Sequence, residues 1–500
     1  MRSDTSAVSY VSPDQSVNRA LTAAQQRAVS ELLRVSPIAD ELGRRFAAAG
    51  HELFLVGGSV RDALLGRLGT DLDFATSARP EQTLDLLTNW ADATWTTGIA
   101  FGTIGAQRHG MRVEITTYRA DSYDRVSRNP IVEYGTKIED DLRRRDFTVN
   151  AMAVSVPEHR FTDPYGGLTD LARRMLRTPG APQESFADDP LRMLRAARFT
   201  AQLGFEVDPE ARRAIVDMAG DLARITAERI RDELTKLLTG ADPVAGLRLL
   251  VDSGLADQFL PELPALRMQI DEHAQHKDVY EHTLTVVSNA VRLEAEPAAA
   301  SAGGPDFILR MAALMHDIGK PATKAIAPDG GVSFHHHEVV GARMTRARMK
   351  ALKFPKDTIS QVSELVALHL RFYGYGRGEW TDSAVRRYVT DAGELLPRLH
   401  KLVRSDCTTR NKRKATQLAR DYQDLEDRIA RIAAAEDLAR VRPDLDGNEI
   451  MRLLDIPAGP TVGKAWKYLK DLRLERGPLS RDEAEAELYR WAREQGIIGD

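Results

Sequence analysis

The sequence holds a single cysteine, Cys407, so no intramolecular disulfide can form, and such sparing use fits a reducing compartment. No run approaches the roughly 18 apolar residues of a membrane span, so no membrane is expected among the partners. The opening MRSDTSAVSY lacks a basic segment followed by an apolar one, so no secretory leader is expected and a cytoplasmic location is. Neither sign of charge dominates: 69 Lys+Arg face 73 Asp+Glu, a formal net charge of −4. That balance does not exclude nucleic acid, because local clustering decides there. With 43% hydrophobic and 28% charged residues over 500 positions, the chain is not disordered throughout and has room for about three domains. No internal repeat is present.

Residues 1–27 are rich in Ser, Ala and Gln and read as a mobile extension. Over 28–48 apolar residues return at helical spacing (Val29, Leu32, Leu33, Ile38, Leu42, Phe46), and Gly50 suits the helix end. Leu53–Val56 is a short apolar run stopping at Gly57–Gly58, a buried strand meeting a tight turn. Leu72–Phe74 and the alternating, β-branched Met111–Thr117 are further strands, so 28–175 reads as a mixed α/β head. From about 183 strand signals give way to helical spacing, which gives a helical neck over 176–265. Residues 266–430 are also mostly helical, and eight of the twelve histidines fall between His273 and His369, marking a separate chemical unit. Within it, 297–305 is a flexible loop by composition, and 431–500 reads as a helical tail broken at 457–460.

The head carries the first chemical constellation. Glycines at Gly57–Gly58, between a strand and a helical run, let the backbone approach a phosphate, and helix-start amides favour anions. Arg61 lies one turn further on, within reach of the same anion. Asp71 and Asp73 stand at i and i+2 on a strand, hence on one face. Adjacent carboxylates repel unless a cation lies between them, and hard oxygen ligands suit Mg2+ bound together with substrate phosphates. Glu114, on a later strand, is a third candidate carboxylate.

The segment containing these residues resembles the catalytic head of the polymerase-beta-type nucleotidyltransferases. More narrowly it resembles the class II CCA-adding tRNA nucleotidyltransferases and bacterial poly(A) polymerases. The likeness continues in ArgArgAspPheThrValAsnAlaMet (144–152), AspProTyrGlyGlyLeuThrAspLeu (163–171) and AspAspProLeuArgMetLeuArgAlaAlaArgPhe (188–199), in the family's order. The resemblance implies Mg2+ ions held by Asp71 and Asp73, triphosphate contacts from Gly57, Gly58 and Arg61, and nucleotide contact from Arg145. Phe101–Gly102–Thr103 reads either as part of a mobile catalytic loop or as a plain hairpin.

In the last block, Asp189 and Arg192 stand three apart on an expected helix, on neighbouring faces. Facing a base edge, Asp189 would accept from the exocyclic amine of cytosine or adenine, and Arg192 would donate to the adjacent ring nitrogen. Guanine and uracil put a carbonyl there, and a buried unpaired polar group costs about 1–3 kcal/mol. CTP and ATP are therefore the expected substrates, without a nucleic-acid template. Arg195 and Arg198 continue the spacing, drifting about 60° per step around the helix, to support the pair or meet phosphates. The family usually has Glu where this chain has Asp188.

The second constellation is His282, His316–Asp317, the run His335–His337, His369 and Asp406. Such spaced His and Asp residues on helices can converge on a divalent metal, with a carboxylate bridging two ions. The block HisAspIleGlyLys with its flanking histidines resembles the HD superfamily of metal-dependent phosphohydrolases. The resemblance implies ligands His282, His316, Asp317, His337, His369 and Asp406, holding a transition metal or Mg2+. His337 is preferred within its run because it precedes GluValValGly.

The basic run 408–414 reads as an RNA contact or a solvated helix face, and the aromatic run 372–378 as a base-stacking segment or a plain loop. The tail at 446–464 resembles that of class II CCA-adding enzymes and favours tRNA as partner. The expected architecture is multidomain α+β: a polymerase-beta-like head with a small mixed sheet, then a helical neck, HD domain and tail. The expected reaction adds C, C and A to the tRNA 3′ end from CTP and ATP, releasing pyrophosphate. A poly(A) polymerase using ATP and an RNA-binding scaffold with an inert head are the alternatives. No protein partner is legible.

Overall fold

The computed structural model describes residues 37–67, 71–120, 133–268, 278–295, 304–326, 328, 331–372, 375, 380–409, 411–436 and 442–498. The expected extension over 1–27, the first part of the 28–48 helix, and most of the 297–305 loop and 372–378 run lie outside them. The chain forms two compact units. The first extends to Ile225 and takes in Ser253–Leu255; the second holds Thr226–Asp252 and Ala256 onward.

In the first unit, helix α1 (Pro37–Ala48) buries Ile38, Leu42 and Phe46 at i, i+4 and i+8, as their spacing predicts. Removing such side chains from water stabilises the unit by about 2 kcal/mol each. Gly50, at φ 78°, turns the chain after this helix. Strand β1 (Leu53–Val56) is buried at all four positions. Helix α2 (Gly58–Leu64) and strand β2 (Asp71–Thr76) follow, then α3 (Pro80–Leu87), β3 (Ala93–Trp95), β4 (Thr103–Arg108) and β5 (Met111–Thr117). After α4 (Ile138–Arg143) come β6 (Ala153–Ser155) and β7 (Phe161–Thr162). These strands form one seven-stranded sheet in the order β3-β4-β5-β2-β1-β6-β7. Only β2 and β5 pair in parallel among its neighbours.

Helices α5 (Gly167–Arg173), α6 (Pro182–Asp188), α7 (Leu191–Leu203) and α8 (Pro209–Met218) complete this unit's main elements. Strand structure does not end at 183 as expected: Glu206–Val207 pairs in parallel with Met175–Leu176. Gly204, at φ 69°, stops α7 and turns the chain into that short strand, a signal too brief for periodicity to register. The expected head–neck boundary at 175 falls inside this pairing, and the expected neck is divided between the two units at Ile225.

The second unit is helical: α9 (Ala227–Leu238), α10 (Pro243–Asp252), α11 (Val279–Glu294), α12 (Phe307–Met315), α13 (His337–Ala351), α14 (Lys356–Leu368), α15 (Asp382–Ala392), α16 (Leu396–Asp406) and α17 (Lys412–Ala435). Helix α12, apolar almost all round, is the central one and packs against α11, α14 and α16. The expected boundary at 430 lies within α17, because no glycine or proline interrupts its amphipathic pattern from 412 to 435. The last helices, α18 (Gly447–Leu454), α19 (Pro460–Arg476) and α20 (Arg481–Glu494), enclose a core of Leu445, Ile450, Leu454, Leu469, Leu488 and Trp491. Capping boxes Asp446–Glu449 and Ser480–Glu483 fix the starts of α18 and α20. Among the described residues, no helix is long and apolar enough to cross a membrane.

Candidate active sites

On β2 the burial alternates, so Asp71 and Asp73 face solvent while Leu72 and Phe74 face the core. Asp73 is the register partner of Glu114 across the parallel β2–β5 pair, which puts Glu114 on the same open face. Loss of hydration raises the Asp73 carboxyl above its ordinary 3.8; Arg145 opposes this, and Glu114 and Asp71 push it further up. Three oxygen-donor side chains gathered on one open face suit a hard divalent cation.

The turn beside them is built on Gly57, at φ 71°, where a Cβ would come within 2.8 Å of Arg145 Nη1. Arg145 thus lies against the glycine turn, braced by Asp141 at 3.1 Å. Ser59, to which the sequence reading gave no role, ties turn to strand. Its Oγ donates to the Asp71 carbonyl and accepts from the Asp73 amide, both at 3.2 Å. Arg61 also stays beside the turn, 3.5 Å from where a Gly58 Cβ would be. Its donors are engaged by Asp62 and by Asn150 Oδ1 at 2.6 Å.

From Asn150 the network continues inward. Its amide donates to Asp146 Oδ1 at 2.9 Å, and Arg195 Nε donates to Asp146 Oδ2 at 2.7 Å. Burial would raise the Asp146 carboxyl, but Arg195, Asn150 and the Phe147 amide hold it well below the ordinary carboxylate range. Arg195 is thereby a half-buried brace on α7. Arg198 is buried with its guanidinium 4.3 Å from the Phe199 ring centre.

Asp189 is not on a helix, contrary to the expectation for the Asp189–Arg192 pair. It is extended, at φ −142° and ψ 98°, because the residue before a proline is driven out of the helical region and Pro190 follows it. Helix α7 begins at Leu191, and Asp189 caps it: Oδ1 accepts from the Leu191 amide at 3.2 Å and its carbonyl accepts from the Arg192 amide at 3.0 Å. Arg192, in the first turn, donates to Ser185 Oγ at 2.8 Å and to the Arg144 carbonyl at 2.5 Å. The carbonyl that fixes Arg192 therefore belongs to the immediate neighbour of Arg145, which lies on the glycine turn beside Asp73.

In the second unit all six expected ligands converge. Two sets, His282–His316–Asp406 and Asp317–His337–His369, each have ligand atoms lying within 4.8 Å of one another. His316, His337 and His369 share one arrangement: Nδ1 donates to the carbonyl three residues earlier, on Ala313, Phe334 and Val366, at 2.8, 2.8 and 2.7 Å. In a neutral ring this leaves the Nε2 lone pair aimed inward, as in metal-ligating histidines. All three Nε2 atoms are buried and make no hydrogen bond within the protein. Asp317 spans both sets: Oδ2 lies 3.2 Å from His316 Nε2, and Oδ1 lies 3.3 Å from His337 Nε2. His282 Nε2 reaches Asp406 Oδ1 at 2.9 Å. Burial lowers His369 to about 4, whereas Asp317 and Asp406 overcome burial at His316 and hold it at about 9. Orphaned imidazoles around an anionic centre fit a divalent metal.

The sequence reading missed two companions here. Lys320 Nζ lies 2.9 Å from Asp317 Oδ2, and Thr408 Oγ1 lies 3.0 Å from His282 Nδ1. Gly319 permits the whole turn, since a Cβ there would come 2.2 Å from the His337 carbonyl. Of the aromatic run, Phe372 and Tyr375 are buried, and Phe372 stacks on Tyr422 at 4.1 Å instead of facing solvent.

A glycine turn, a carboxylate face and a braced arginine on a mixed sheet, followed by helices, define a nucleotidyltransferase with an appended HD domain. Comparisons agree. Residues 53–177 match the poly(A) polymerase head domain, 204–266 the probable RNA- and SrmB-binding site of polymerase A, and 279–437 the HD domain. The A-adding tRNA nucleotidyltransferase of Deinococcus radiodurans is 35% identical over 446 residues, 88% of this chain and 95% of that protein. The CC-adding tRNA nucleotidyltransferase of Thermus thermophilus is 32% identical over 450 residues, 88% of this chain and 94% of its own. The Bacillus stearothermophilus CCA-adding enzyme, solved in complex with CTP, superposes with a TM-score of 0.64 at 25% identity, covering 95% of this chain and 99% of that one. The chain belongs to the tRNA nucleotidyltransferase family.

Proposed function

We propose that the chain adds C, C and A in turn to the 3′ end of tRNA from CTP and ATP, without a nucleic-acid template, in the cytoplasm. The observation that carries this is the pairing of Asp73 with Glu114, with Asp71 on the same face beside the Gly57 turn. Asp71, Asp73 and Glu114 would hold Mg2+. When bound, such ions neutralise the triphosphate and make the attacking hydroxyl easier to ionise. The Gly57–Gly58 backbone lets the phosphates approach, and Arg145 supplies positive charge against that turn. Asp189 accepts from the base's amine, and Arg192 donates to its ring nitrogen, held in place by Ser185 and the Arg144 carbonyl. Arg195, through Asp146, keeps the helix that carries Arg192 in register with the head.

The test offers tRNA lacking its terminal CCA with each nucleoside triphosphate alone and with CTP plus ATP. The expected products are C addition from CTP, completion to CCA from both, and rejection of GTP and UTP. Two long relatives are named for A addition and for CC addition, so a partial activity is the second reading. Addition of A alone to tRNA ending in CC, or of CC without A, would establish it in place of the first.

We further propose that the HD cluster is a metal-dependent phosphohydrolase. The fit between its orphaned imidazoles and a divalent ion supports this, and RNA-end phosphates are the substrate class to assay. Phosphatase activity equal in wild type and His316→Ala across Ni2+, Mn2+ and Mg2+ would remove it.

A further inference from the structure

The carboxylate face extends beyond Glu114. Gly105 on β4 is the register partner of Glu114, and Trp95 on β3 is the register partner of Gly105. Directly opposed residues on neighbouring strands project to the same side of a sheet. Asp73, Glu114, Gly105 and Trp95 therefore form one row across the open face. Glycine interrupts the row, and the indole fills the gap: a Cβ on Gly105 would fall 2.0 Å from Trp95 Nε1 and 2.1 Å from its Cε2. The ring thus lies over the strand next to Glu114, about one strand spacing, ~5 Å, from it. It is half-buried.

The row also has a direction. Beyond Asp73, on the β1 side, lie the Gly57 turn and Arg145, where the triphosphate belongs. On the other side, past Glu114, lies Trp95. In-line displacement puts the attacking hydroxyl opposite the leaving pyrophosphate. The RNA acceptor then arrives over β5 and β4, where Trp95 offers a flat ring. Resting on the nucleotidyltransferase reading above, we propose that Trp95 is the stacking platform for the 3′-terminal nucleotide of the RNA acceptor. Every base has a π-face, so such a platform accepts whichever nucleotide currently ends the growing strand. A repeated-addition enzyme needs that tolerance, since its acceptor end changes after each step.

The test uses the full chain and a tRNA acceptor carrying 2-aminopurine as its 3′-terminal base, without nucleotide or metal, so that stacking is read apart from catalysis. Wild type is expected to quench the fluorophore and Trp95→Leu to leave it bright. In steady state Trp95→Leu should raise the acceptor KM about ten-fold, with CTP KM and kcat changing less than about twofold. Trp95→Phe, which keeps a flat ring, should restore most of the difference. If Trp95→Leu unfolds, the wild-type signal decides alone: no quenching on binding overturns the platform. Equal quenching or an unchanged acceptor KM in folded Trp95→Leu overturns it too. A wild type that transfers no nucleotide removes the underlying reading and this one with it. Normal transfer with unaltered Trp95→Leu kinetics removes the stacking role alone.

Discussion

Arg195, half-buried, and Asp146, buried, form an ion pair 2.6 Å apart that joins the helix carrying Arg192 to the segment carrying Arg145. Removing Arg195 leaves the buried Asp146 carboxylate its Asn150 and Phe147 hydrogen bonds but no cation, which costs about 1–3 kcal/mol. Arg195→Ala should therefore lower unfolding stability by about that amount, read by chemical denaturation. Retained stability would mean that the pair is not what holds α7 to the head.

The same pair sets a pH dependence. The Asp146 carboxyl titrates below its ordinary 3.8 in the folded chain. Its contribution is fully present above about pH 5 and is lost as pH falls through the unfolded value toward the folded one. Between pH 4 and 3 the unfolded chain binds on average about two-thirds of a proton more than the native one, so stability should fall by about 0.9 kcal/mol per pH unit from this group. Denaturation curves of Asp146→Asn between pH 4 and 3 should show a slope shallower by that amount.

Ser59 joins the Asp71 carbonyl and the Asp73 amide. Residues that orient ligating carboxylates typically matter about 10–100-fold in metal affinity or activity. Ser59→Ala should raise the Mg2+ concentration needed for half-maximal transfer by about ten-fold, while saturating Mg2+ recovers most of kcat. A loss unaffected by Mg2+ would point to a general fold defect.

In the second unit, His337 donates its Nδ1–H to the Phe334 carbonyl and aims Nε2 at Asp317. His337→Ala should reduce Mn2+ or Ni2+ binding by about ten-fold or more in calorimetry, without changing incorporation of C into tRNA. Undiminished binding would exclude His337 from the ligand set.

Much of this was legible in the sequence because it rests on short periods. Asp71 and Asp73 share a face by strand alternation alone, and Gly57 announces a turn that no side chain tolerates. The six HD ligands are dispersed, yet their residue types and order carry the signal. What stayed hidden depends on register and on neighbours far along the chain. Ser59 meets Asp71 only because β2 folds beside α2, and Trp95 meets Glu114 only through two strand pairings. The helical placement of Asp189 failed for a local reason, Pro190, which spacing arguments passed over. The partner of Arg61, Asn150, stands 89 residues away, where no spacing argument reaches.

The central claim is that the carboxylates of the β2–β5 face drive nucleotide transfer to tRNA, and the most direct measurement is single-turnover C incorporation at saturating CTP, Mg2+ and tRNA lacking its 3′ end. Asp73→Asn keeps the shape and removes the charge, and its rate should fall by at least about 100-fold with tRNA binding intact. Incorporation by Asp73→Asn at the wild-type rate would contradict the account.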